Sequence, residues 1–166
     1  MVKRKRWLRH VCMPPWYWRR KFTKAILQEI EQAITESEQL HNGELRFVIE
    51  NALSPWRVWQ GLTVQQRALE LFAQLGIWDT EENSGVLIYV SLADREVQIL
   101  ADRGIAKRVG QAEWQTIASS MQRAFKVGQF QQGALLGIQQ TTLLLATHFP
   151  PVAGKANQLP NQATIL

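Results

Sequence analysis

The sequence predicts an α/β fold, a three-layer sandwich whose mixed β-sheet contains a right-handed βαβ unit and a hairpin, with helices on both faces. Three observations lead there. Helical spacings alternate with strand patterns in the order α-β-α-β-β-α-α. The run 86–92 is almost wholly apolar, as a strand covered on both sides requires. Only Ala93-Asp94-Arg95 separates it from the strand pattern of 96–101, which leaves room for nothing but a hairpin turn.

The elements follow in order. Residues 1–22 read as a basic, aromatic arm, either free or with its aromatics packed on the body, whose stretch from Lys3 to Cys12 fits a short helix stopped by Pro14-Pro15. Residues 23–149 form the body. Thr23 caps its first helix, in which Ile26, Ile30, Ala33, Ile34 and Ser37 recur on one side. His41-Asn42-Gly43 is expected to end that helix through positive φ. Glu44 to Glu50 alternates as a strand, and 51–61 reads as a connecting loop. Thr63 and Gln66 form a capping box for a helix with Val64, Ala68, Leu71, Phe72 and Leu75 inward, closed by Gly76. Two helices near 111–126 and 130–148 complete the body, and Gly133 and Gly137, four apart, allow close helix packing. Residues 150–166, rich in Asn, Gln and Pro, read as a mobile tail.

Charge is unevenly spread. Residues 1–24 hold nine Lys or Arg and no acid, whereas the other 142 hold ten basic and fourteen acidic groups. A +9 arm therefore precedes a −4 body, which accounts for the net +5. The single cysteine, Cys12, excludes an internal disulfide, and no stretch approaches the roughly 20 apolar residues of a membrane span. With no apolar leader run in the basic N-terminal stretch, a cytoplasmic location is expected, peripheral at the inner face of the membrane. His10, His41 and His148 are scattered without zinc spacing, and no phosphate loop or nucleophile elbow is present.

The predicted topology gathers acids. An antiparallel third strand would bring Asp102 beside the N-terminal ends of the two parallel strands, where Glu44 and the loop containing Asp79, Glu81, Glu82 and Asn83 lie. Hard oxygen donors of this kind suit Ca²⁺ or Mg²⁺. Gly85 and Gly104 would let backbone segments approach closely there. The hairpin places Asp94 at the opposite edge.

From Gly43 to Phe149 the chain resembles the TPM domain family. The likeness is carried by Gly43-Glu44-Leu45-Arg46-Phe47-Val48, Leu75-Gly76-Ile77-Trp78, the run from Asn83 to Val90, Ala93 to Ile99, and Asp102-Arg103-Gly104-Ile105. Phe125, Gly128, Phe130 and Gly133 match the family's closing motif. The resemblance implies an α/β sandwich. Its extracytoplasmic members include a thylakoid-lumen protein associated with photosystem II repair, for which acid phosphatase activity and calcium binding have been proposed. This chain departs from the family pattern by Ala106 in place of a glutamate and by Val109-Gly110-Gln111-Ala112 where an aspartate is usual, so two oxygen ligands or acid/base candidates are missing.

Function classes then order themselves. The leading expectation is an accessory protein docked on an anionic membrane surface, or on a membrane protein, through Lys3, Arg4, Lys5, Arg6, Trp7, Arg9, Trp16, Trp18, Arg19, Arg20 and Lys21. An acidic edge that binds a divalent metal accompanies it. The enzymatic alternative is a metal-dependent phosphatase using Asp79, Glu82, Asp94 or Asp102. Nucleic-acid binding through the arm ranks third, since the acidic body opposes it.

Overall fold

The computed structural model describes residues 2–154 and 157–166, and of residues 2 and 3 the backbone alone. Two short helices, α1 (Val2–Val11) and α2 (Tyr17–Lys21), precede α3 (Lys24–Ser37) and strand β1 (Glu44–Glu50). Helices α4 (Pro55–Trp59) and α5 (Val64–Gln74) lead to β2 (Gly85–Ser91) and β3 (Glu96–Ala101). One turn of helix, α6 (Arg103–Ala106), then α7 (Gln111–Lys126) and α8 (Phe130–His148) follow, and β4 (Thr164–Ile165) ends the chain.

The sheet has the order β3-β2-β1-β4. β1 and β2 run parallel with α5 between them, and β3 returns antiparallel to β2 as the three-residue turn requires. Alternate residues of the central strands enter separate cores. Leu45, Phe47, Ile49, Val86, Ile88 and Val90 pack with residues of α3, α7 and α8. Val48, Leu87 and Tyr89 pack with Val64, Ala68 and Leu71 of α5. The whole of β2 is buried, in keeping with its apolar sequence. The capping box at Thr63 is formed from both sides. Gly137 is where α8 meets α7, since an added Cβ there would lie 2.3 Å from the Met121 sulfur.

Three features depart from the sequence reading. α3 stops at Ser37, and His41, Asn42 and Gly43 are buried without positive φ, because the chain there turns directly into β1 rather than through a left-handed cap. The 51–61 loop holds α4, with Pro55 in its first turn, where the missing N–H costs nothing. The tail is built into the fold. Residues 164 and 165 pair parallel with β1, Leu166 N–H donates to Ile49 O, and Leu159 enters the α5 core. This covers an edge of β1 that would otherwise present unpaired backbone groups. Arg46 anchors the same segment, donating to Pro160 O and, at 2.7 Å, to Thr164 Oγ1.

The arm, which the sequence leaves either free or docked, lies against the body. Phe22 is fully buried, edge-on to Phe125 and Phe130 at 6.0 and 5.6 Å. Trp7 meets Trp59 of α4 edge-on at 6.2 Å. Among the described residues no helix is long and apolar enough to cross a membrane.

Candidate functional site

The acidic rim forms where topology placed it. Glu44 lies opposite Gly85 in the β1–β2 ladder, and Asp102 N–H donates to Gly85 O at 2.8 Å. The loop 79–83 sits at the same end. Gly104 faces it closely, since a Cβ there would lie 2.6 and 2.5 Å from the carbonyl oxygens of Glu82 and Asn83.

The oxygens nevertheless turn to different partners. Glu44, 2% exposed, accepts from the backbone N–H groups of Gln158 and Leu159 at 3.3 and 3.2 Å. Glu82 accepts from the Asn42 amide, and Asn83 Oδ1 accepts from Arg103 Nε at 2.8 Å. Asp79 and Glu81 are exposed. Asp102 is buried. Its Oδ1 accepts from Arg103 N–H at 2.7 Å at the start of α6, and its Oδ2 has no partner among the described residues. Among the described residues, no three His, Cys, Asp or Glu side chains come together to hold a metal ion. The rim therefore offers Ca²⁺ or Mg²⁺ no ready carboxylate cage, although one buried carboxylate oxygen is uncommitted.

The opposite end of the sheet carries two ionic clusters. Asp94, in the β2–β3 turn, accepts from Arg6 Nε and Nη2 at 2.7 and 3.0 Å. His10 Nε2 lies 3.2 Å from its Oδ2. His10 Nδ1 accepts the Leu53 N–H at 3.0 Å, so the ring carries its proton on Nε2, toward Asp94. Burial alone would push the Asp94 carboxyl up, but the hydrogen bonds from His10 and Arg6 outweigh it and hold the group well below the usual carboxylate range. Nearby, Glu50 accepts a forked pair of bonds from Arg67 and one from the Tyr89 hydroxyl at 2.6 Å. Burial and the adjacent Glu50 push the Tyr89 phenol up, so it remains a donor. These groups bind elements together.

Arg6 thus belongs to an internal cluster, whereas it was expected among the outward cations of the arm. Its partner lies in a turn far along the chain, a pairing that no spacing in the sequence reveals. The Lys3 side chain lies outside the described residues. Arg4, Lys5, Arg9, Arg19 and Arg20 are exposed, and Trp18 and Lys21 are half-buried.

On the outer side of α1 a shallow cleft opens against α4, lined by Arg4, Trp7, Leu8, Pro55, Trp56 and Trp59. Trp56 and Trp59 are 67% and 58% exposed, and Leu8 is 50%. Sequence reading placed Trp56 and Trp59 in a loop. Only the pairing of α1 with α4 joins them to the basic arm.

The family model for the TPM domain matches residues 20–142. The chain belongs to the TPM-domain family. This TPM-domain protein is similar to the BA42 protein of the psychrophilic bacterium Bizionia argentinensis, at 31% identity and a TM-score of 0.77 over 87% of this chain and 95% of that one. It shares the fold of the N-terminal domain of a protein from P. gingivalis, at 17% identity and a TM-score of 0.63 over 78% and 79% of the two chains. No curated protein shows significant similarity to it.

Proposed function

We propose that this TPM-domain protein is a non-catalytic accessory domain that docks on an anionic membrane surface through the α1–α4 face. The observation that carries the reading is the cleft of Trp7, Trp56, Trp59 and Leu8 edged by Arg4. Tryptophans settle at the headgroup level because their rings are apolar with one polar edge. Lys5 and Arg9 stand exposed on the same helix, and each cation near an anionic leaflet contributes about 1 kcal/mol. Arg4, which lines the cleft itself, gives about 1 kcal/mol by that measure, before any apolar burial. Because α1 is tied to Asp94 and α4, it presents this face without an ordering cost at the membrane.

Co-sedimentation with phosphatidylserine-containing and with neutral vesicles tests the reading. Anionic vesicles are expected to bind the protein, more weakly as salt rises. Trp56→Ser removes a ring that is mostly in solvent, so it should leave stability unchanged while weakening vesicle binding roughly tenfold. Equal partition onto neutral vesicles, or full binding by Trp56→Ser combined with Arg4→Glu, would reject docking by this face. An oligonucleotide titration run alongside separates lipid from nucleic acid.

A second reading, a divalent cation at the rim, is favoured by the partnerless, buried Asp102 Oδ2. Ca²⁺ or Mg²⁺ held there by one carboxylate would bind more weakly than at a complete cage of oxygen ligands. Amide chemical shifts around Asp102 and the 79–83 loop should then move with either ion in the native protein and stay still in Asp102→Asn. Unmoved shifts in the native protein remove the site.

A further inference from the structure

Beyond the carboxyl end of β2, a cleft of about 620 Å³ opens between α2, α7 and the start of α8. Its size falls within the roughly 300–1,000 Å³ of small-molecule sites, and open α/β sheets bind ligands at this end of their strands. Val90 and Leu92 join Tyr17 and Phe130 in supplying apolar lining. Phe125 and Phe130 stack at 5.1 Å with their planes 10° apart, giving a flat aromatic wall.

Four cations share the same space: Lys21, Arg95, Arg123 and Lys126. Among the described residues none of them is in an ion pair. The one acid in the lining, Glu96, accepts from Gln98 at 2.6 Å. The cleft therefore has three more cations than acids. Lys21 Nζ stands 5.3 Å from the Tyr17 ring centre and 5.1 Å from that of Phe130, so a charge hangs directly over the apolar wall. Arg95 closes the three-residue β2–β3 turn in the left-handed backbone usual for such a loop, φ +58°. Two guanidinium groups match phosphate oxygens in pairs, as ammonium groups do not.

We propose that this cleft binds a phosphate monoester carried on an apolar or aromatic body, with Arg95, Arg123 and Lys126 holding the phosphate and the Tyr17–Phe130 wall taking the body. Arg95, Arg123 and Lys126 are exposed and, among the described residues, paired with no acid, so they are available to an anionic ligand beside the aromatic wall. The site is separate from the α1–α4 face and from the acidic rim.

Calorimetric and amide-shift titrations of the full chain with dodecyl phosphate below its micelle concentration, phenyl phosphate, inorganic phosphate and dodecanol test the assignment. The two esters should bind, displacing amides of α2, α7 and the 92–96 turn. Inorganic phosphate should bind at least roughly tenfold more weakly, since burial of two methylenes alone is worth that much. Dodecanol should bind more weakly than its phosphate by a similar factor. Arg123→Gln with Lys126→Gln changes two exposed positions of α7, so folding survives, and ester affinity should fall tenfold or more. Trp56→Ser should leave ester affinity unchanged, which keeps this test distinct from vesicle docking. Vesicles containing phosphatidic acid show whether a bilayer headgroup or only a soluble ester is taken. Esters that bind no better than inorganic phosphate, or equal binding by the double variant, would overturn the proposal.

Discussion

Gly85→Ala is expected to destabilise the protein by about 3–5 kcal/mol, at the severe end for a single added methyl group. A Cβ at position 85 would lie 2.0 Å from the Ile77 carbonyl oxygen and 2.7 Å from its Cγ2. The obstacle is backbone, and Ile77 is itself fully buried, so neither side can yield cheaply. Relief requires the first residue of β2 to move. That would loosen the pairing of Glu44 with Gly85 and the bond from Asp102 N–H to Gly85 O, opening the acidic rim. For a chain of this size each kcal/mol lowers the melting temperature by about 2–4 °C, so thermal unfolding should show a drop of about 10 °C. Amide shifts of Glu44 and Asp102 should move together. A loss under about 1 kcal/mol would mean that the Ile77 turn is free to shift, contrary to its buried position.

Asp94→Ala should cost about 3–5 kcal/mol, because it strands Arg6 and His10 rather than deleting a balanced pair. Burial of the Asp94 side chain is nearly complete, at 4% exposure, and that of Arg6 is substantial, at 20%. Arg6 would keep its bond to Leu62 O and His10 its bond from Leu53 N–H, but the charge that joins α1 to the β2–β3 turn would be gone. Faster trypsin cleavage within α1, preceding global unfolding, is the accompanying readout. Acid acts on the same contact. The folded carboxyl is held below its unfolded value of about 4, so its stabilisation is complete above that pH and is lost as pH falls further. Native protein should therefore lose stability below about pH 4 more steeply than Asp94→Asn. Parallel acid profiles for the two would show that the cluster contributes nothing to folding.

Local patterns carried much of the fold. The apolar run of β2, the brief turn at 93–95, the Thr63–Gln66 cap and the glycines at 85, 104, 133 and 137 each state a local requirement that their own residues reveal. Antiparallel β3 followed from the turn length, and with it the meeting of Glu44, the 79–83 loop and Asp102 at one end. What the patterns could not show is where each oxygen turns once there. Asn42 claims Glu82, tail backbone claims Glu44, and Arg103 claims Asn83. These partners come from segments whose spacing carries no periodic signal.

The sequence by itself determined the mixed sheet and the contrast between a cationic, tryptophan-rich arm and an acidic body, because these depend on composition and on periods of two or 3.6 residues, while its motifs carried the family resemblance. Tertiary structure alone decided that the arm is pinned by Asp94, that α4 brings two more tryptophans beside it, and that the polar tail completes the sheet. Charge pairs and edge pairing act through space at angstrom range, so they appear only when the chain has already brought distant residues together.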